Sequence, residues 1–277
     1  LEYNPKNSEE LKDFYKKENN FLVDNIRNFN LLEKPYLDRF QDNPNWWNSF
    51  EKLLPYFRRV EFAGGEPLMD PQHFKILEML KPYGENIQLK YATNLTTLGK
   101  GNYQVKDYWP KFNQIYIHGS IDAVGPYAGV VRSGSDWETV EKNLTWVRSQ
   151  PNVLVRISTV ISAINIWFLP SLFEYLDFAE VPNETNGFGP VLFEPITAYG
   201  DNEFGLRSIP TKFRPDLINM LNSSKFASHP NIKHIVEILK EPTYQKDYWA
   251  QFLKTQMELD KRRGENWFEL LPIKDQL

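Results

Sequence analysis

The 277-residue chain contains no cysteine and only four histidines. Zero thiols exclude a disulfide framework and any thiolate metal site, and leave the redox compartment open. His73, His118, His229 and His234 are too dispersed to form a ligand pair at helical spacing. Long apolar runs are missing as well. None approaches the ~20 residues needed to cross a bilayer, and the polar N-terminus has no signal-peptide core. Nor does either charge dominate: the net charge is −4 and the pI near 5.7, with Lys and Arg scattered. That distribution gives no electrostatic footprint for a phosphate backbone, so nucleic acid is not the indicated partner. Together these absences predict a soluble, cytoplasmic protein without membrane contact, and the length suits one core of ordinary size.

Aromatic residues are abundant instead, at 15% with eight tryptophans. Large rings pack interiors and line pockets alike, and most of these belong to the core. The apolar spacing over residues 8 to 33, opened by Ser8 as a cap, predicts an amphipathic helical region. A helix from about Asn45 to Leu54 stops at Pro55, and Val60-Glu61-Phe62 forms a short strand ending in Gly64-Gly65. Asp70 caps a helix begun by Pro71. Further strands are predicted at Ile87–Tyr91, Gln114–His118, Val153–Val160 and Pro190–Glu194. Helices are predicted near Val105–Trp109, from Ser135-Asp136 to Arg148, and at Leu169–Phe178, Phe213–Asn222 and Tyr248–Arg263. Gly-, Asn- and acid-rich stretches at Asn183–Gly189 and Ala198–Gly205 read as loops. Strands alternating with helices at this rhythm indicate right-handed βαβ units around a parallel sheet or barrel, an α/β fold.

Ligands of parallel α/β sheets settle at the carboxyl ends of the strands. Four such ends carry polar or glycine residues here: Gly64 to Pro67, Thr93 with Asn94, Ser120 with Asp122, and Ser158 with the following Asn165. Gly64 and Gly65 let the backbone approach a ligand, or merely make a turn. Glu66 offers an acceptor to an ammonium. Asn94 and Ser120 also suit helix caps or satisfied loop positions. Asp122 suits a ribose hydroxyl or a plain turn, and Arg132 suits a ligand carboxylate or solvent.

The conjunction carries a resemblance. The segments Arg59-Val60-Glu61-Phe62-Ala63-Gly64-Gly65-Glu66-Pro67, Tyr91-Ala92-Thr93-Asn94-Leu95, Ser120-Ile121-Asp122, Val131-Arg132-Ser133-Gly134-Ser135-Asp136-Trp137 and Asn143-Leu144 resemble radical S-adenosylmethionine (radical SAM) proteins with a twitch domain. The tail Leu259-Asp260-Lys261-Arg262-Arg263-Gly264-Glu265-Asn266-Trp267 is similar to their C-terminal ending. The resemblance implies a partial (β/α)6 TIM-like barrel in which a CxxxCxxC loop after the first strand holds a 4Fe-4S cluster chelated by SAM. It implies reductive cleavage of SAM to methionine and a 5′-deoxyadenosyl radical that abstracts hydrogen from a substrate, with a reductant protein as partner. Residue by residue, Gly64, Gly65 and Glu66 would hold the SAM amino group, with Pro67 beside them in the cofactor-binding set. Ser120 and Asp122 would lie near its ribose or carboxylate, Arg132 would face the carboxylate, and Asn94 and Ser158 would complete the set. The substrate is a peptide, a protein or a small molecule, for which the aromatic-rich loops around Phe188 to Phe204 offer a lining.

The cluster ligands are not in this sequence. Either it is the ordered part of a longer protein, or it is truncated, or it is a natural relative that has lost the chemistry and serves as a catalytically silent SAM-binding or scaffold protein. The first is favoured, because a first clear strand only at Val60 leaves an unpaired hydrophobic edge that invites aggregation. A cysteine-free TIM-barrel enzyme using Glu61, Glu66 and Asp122 is the remaining option, without paired carboxylate spacing to support it. The expected organisation is an N-terminal helical region (1–58), a partial barrel lacking its first strand (59–210) and a C-terminal helical extension (211–277).

Overall fold

The computed structural model describes residues 44–180, 191–198, 202–241 and 246–276. The helical region expected over 8–33 and the loop at Asn183–Gly189 lie outside the described residues, as do parts of the Phe188 to Phe204 loops. The chain divides into two compact units, Leu1–Leu54 and Pro55–Leu277. In the first, helix α1 (Pro44–Leu53) stacks Trp46 on Phe50, an i,i+4 pair with ring centroids 5.1 Å apart.

The second unit is built on a five-stranded sheet of β1 (Arg59–Phe62), β2 (Gln88–Thr93), β5 (Gln114–Ser120), β6 (Val153–Ile161) and β7 (Val191–Thr197), in that order. Every neighbouring pair is parallel, as expected of βαβ units. Strands β3 (Gly99–Lys100) and β4 (Tyr103–Gln104) form a separate antiparallel ladder after β2. Among the described residues the sheet is open: β1 and β7 are its outer strands and do not pair with each other.

Helix α2 (Pro71–Leu80) starts where its cap predicts, with Asp70 accepting from the Gln72 amide at 2.9 Å and Pro71 at the first position. Two short 3-10 turns, Val105–Asp107 and Trp109–Lys111, replace the helix expected there, because Pro110 interrupts it. Helix α3 (Pro126–Val131) precedes α4 (Trp137–Arg148), which Asp136 caps through the Thr139 amide, and α5 (Leu169–Glu180) leads toward β7. Helices α6 (Arg214–Ser223), α7 (Pro230–Lys240), α8 (Lys246–Arg263) and α9 (Trp267–Leu270) belong to the same unit as the sheet. Asn231 of α7 donates to the Pro195 carbonyl of β7, and the Trp267 indole donates to Ile164 O. No helix among the described residues is long and apolar enough to cross a membrane.

Alternate residues of each strand point to opposite faces. On one face Leu89, Tyr91, Ile115, Ile117, Val155 and Ile157 are buried, and helices cover them: His73 of α2 meets Tyr91, and Phe173 of α5 meets Phe193. On the other face Lys90, Tyr116, His118, Ser120, Arg156, Ser158 and Glu194 are half-buried, and Leu154, Val160 and Leu192 are exposed. That second face stays accessible.

Candidate functional site

The carboxyl ends of β1, β2, β5 and β6 lie side by side, so the residues just past them meet along one rim. After β1 the chain turns through Gly64 (φ +91°) and Gly65 (φ +55°), left-handed conformations that favour glycine. An added Cβ at either would meet no atom within 4 Å, so backbone conformation rather than crowding requires these glycines. Both are exposed, and Pro67 behind them is buried in the turn that leads to α2.

Glu66 ties this turn to the next strand end. Its Oε1 accepts from the Thr93 hydroxyl at 2.7 Å and from the Leu68 amide at 3.3 Å, and its Oε2 accepts from the Asn94 amide at 2.9 Å. The Asn94 side chain closes its own turn by accepting from the Thr96 amide and hydroxyl. Leu95 then sits at φ 59°, a strained conformation for a γ-branched residue. Two bonds hold it: its amide donates to Thr93 Oγ1 at 3.1 Å and its carbonyl accepts from Asn143 Nδ2 at 2.8 Å.

At the next strand ends Asp122 is nearly buried and both its oxygens are engaged. Oδ1 accepts from the Val160 amide at 2.7 Å, and Oδ2 takes the Arg132 Nε at 2.6 Å. Asn165, fully buried, locks the same corner: its Nδ2 donates to the carbonyls of Asp122 and Val160, and its Oδ1 accepts from the Ser162 amide. Asp122 is therefore a clamp between β5, β6 and the end of α3 as well as a candidate ligand group. Arg132 keeps its two terminal nitrogens beyond that bond.

Four of the residues singled out from the sequence, Asn94, Ser120, Asp122 and Arg132, line one cavity of about 10 Å³. That volume holds a single water, so a larger ligand must lie over the accessible rim outside it. Ser158 stands in register with Ser120 on the accessible face, one strand over. Gly64, Gly65 and Pro67 do not line this cavity; Glu66 of the same turn reaches it by accepting from the Asn94 amide.

The sequence reading passed over Lys90, Arg156 and Glu194 and weighed His118 only as a metal ligand. All four share the accessible face. Lys90 pairs with Glu61 at 2.9 Å and Arg156 with Glu194 at 3.1 Å, and His118 lies between the two cations. Desolvation pushes the His118 pKa below the usual imidazole value, and Lys90 and Arg156 lower it further against the opposing pull of Glu194 and Glu61. Both influences favour the neutral imidazole. Period-two alternation in Lys90-Tyr91-Ala92, Tyr116-Ile117-His118 and Arg156-Ile157-Ser158 is the sequence signal that marks these residues.

Compared with protein-family models, curated proteins and solved structures, the chain matches none. The sequence supplies no thiolate, and the described residues contain no group of three His, Asp or Glu side chains able to hold a metal ion. An iron-sulfur cluster does not fit the residues of this chain.

Proposed function

We propose that this chain is the SAM-holding sheet of a radical SAM protein whose cluster-binding cysteines lie outside this sequence. The reading is carried by one observation: the path from the Glu66 turn through Asn94 to the Ser120–Asp122–Arg132 cavity follows consecutive parallel strand ends. Ligands of parallel α/β folds sit outside the carboxyl ends of the strands. The partial barrel belongs to the same reading, with its missing strand beside β1.

Within it, the exposed Gly64-Gly65 peptide groups and the Glu66 carboxylate take the ammonium of the methionine moiety. The free edge of Arg132 takes its carboxylate, and Ser120 and Ser158 face the sugar. Burial of Asp122 against Val160 and Asn165 holds Arg132 in place before the ligand arrives, which lowers the ordering cost of binding. No step through iron belongs to this chain; its own part is to bind and orient SAM.

The protein encoded by the complete gene, reconstituted anaerobically with iron and sulfide and then reduced, is expected to convert SAM to methionine and 5′-deoxyadenosine. A fully loaded cluster that releases no 5′-deoxyadenosine overturns the enzymatic reading. The absence of cysteine favours one second reading, a silent SAM-binding scaffold. It predicts S-adenosylhomocysteine binding to this chain, weakened about tenfold by Arg132→Gln, with no cleavage by the complete protein.

A further inference from the structure

The accessible sheet face holds three hydrogen-bonding side chains that the SAM reading does not use, His118, Arg156 and Lys90, beside the two serines that it places at the sugar. His118 and Arg156 are register partners on β5 and β6, and Ser120 and Ser158 are register partners one pleat further on. Lys90 sits diagonally from His118 on β2. Strands lie about 4.8 Å apart and successive same-face residues about 6.7 Å apart, so four side chains frame a rectangle the size of one oxyanion.

Donors dominate inside that frame. Glu61 and Glu194 bind Lys90 and Arg156 from the outer sides, at 2.9 and 3.1 Å. Arg156 engages only Nη1 there, and its Nε and Nη2 make no hydrogen bond among the described residues. The ring nitrogens of His118 and the hydroxyls of Ser120 and Ser158 make no hydrogen bond among the described residues. Arginine and ammonium groups donate only, and neutral imidazole and hydroxyls each add a donor. An acceptor-rich anionic group satisfies all of them at once. Beside the block, Leu154, Val160 and Leu192 are 40%, 40% and 54% exposed on the same face. Leu192 is the register partner of Arg156 and Leu154 lies one pleat away on β6, so these two form an aliphatic patch at one side of the block, while Val160 lies beyond Ser158 at the other; the patch matches a ligand with an apolar body behind its charged head.

We propose that this face binds the carboxylate or phosphate head of an amphipathic small molecule, with His118, Arg156 and Lys90 touching the oxyanion and the β6–β7 aliphatic patch seating its body. The inference rests on the strand register and the open donors; His118, Arg156 and Lys90 carry it whether or not SAM reaches the two serines.

The test is a titration of the chain with inorganic phosphate, acetate and hexanoate, followed by the imidazole NMR signal of His118. A saturable shift at His118, without one at His229 and His234, is expected, and hexanoate is expected to bind several-fold more tightly than acetate. The stronger of phosphate and acetate identifies the head group. The double variant Arg156→Gln, Glu194→Gln removes the ion pair without stranding a charge and is expected to weaken binding about tenfold. The proposal is overturned if no probe saturates below about 50 mM, if hexanoate gains nothing over acetate, or if the double variant binds as the unaltered chain does. S-adenosylhomocysteine titrated in the same samples separates the two sites: its binding without any oxyanion response overturns the inference alone, and the reverse overturns only the SAM reading.

Discussion

On one face of the parallel sheet Leu89, Ile115, Ile117 and Ile157 are fully enclosed; on the other, Lys90, His118 and Arg156 keep contact with water. Parallel sheets are ordinarily covered on both faces and read as near-continuous apolar runs. Here β2 and β5 instead alternate strictly between enclosed and half-buried positions. The enclosed face is explained by packing, since β-branched and aromatic side chains fill the space under α2, α4 and α5. The accessible face is not: a row of charges and hydroxyls adds little stability, because half-exposed ion pairs contribute on the order of 1 kcal/mol or less. What stability does not require is available to ligands.

The largest effect that would sharpen this contrast is expected from Ile157→Ala, which empties a fully enclosed position in a central strand. A loss of about 2–5 kcal/mol in urea unfolding is expected, and a loss near zero would break the assignment of that face as core. Asn165→Ala comes next, at about 2–3 kcal/mol, because it strands the Asp122 and Val160 carbonyls and the Ser162 amide without partners. If Asn165 instead only decorates the rim, the change is silent in unfolding and shows solely in ligand binding.

A third test uses pH. His73 is buried on the enclosed side, between Phe62, Phe74 and Tyr91, and burial pushes its pKa from 6.5 down to about 3. The unfolded chain takes up a proton near 6.5 that the folded protein refuses until near 3. The stability of the neutral form is thus fully present above the unfolded pKa and is lost as pH falls through that window, at up to about 1.4 kcal/mol per pH unit. His73→Phe keeps a ring among its aromatic neighbours and is expected to flatten the slope between about pH 6.5 and 5. His118 acts in the same direction, so the slope shrinks without vanishing. The smallest effect belongs to the accessible face: Leu154→Ala is expected to change stability by no more than about 0.5 kcal/mol, and a larger loss would mean that this face is packed.

Much of the architecture was legible in the residues. The five sheet strands fall within a few positions of their apolar runs, and the Asp70-Pro71 and Asp136 starts of α2 and α4 are where capping chemistry places them. Helix α7 escaped, although His229 before Pro230 and the spacing of Ile232, Ile235, Val236 and Leu239 carry the usual marks of one. Gly64, Glu66, Asn94 and Asp122 were visible because they come just after strands, and Ser120 because it ends one. The row of Lys90, His118 and Arg156 was not. Each residue is an ordinary polar position in its own strand, and only the register between distant strands makes them neighbours. The role of Glu66 was hidden for the same reason. Its spacing fits an ammonium acceptor, while its partners at Thr93 and Asn94 lie nearly thirty positions away.

That carboxylate has a mechanical consequence. With one oxygen on the Thr93 hydroxyl and the other on the Asn94 amide, Glu66 makes the loops after β1 and β2 travel as one body. Any guest that draws an oxygen of Glu66 to itself sets free a donor at Thr93 or Asn94, directly beside the left-handed Leu95, so occupancy at the first loop is felt as slack in the second.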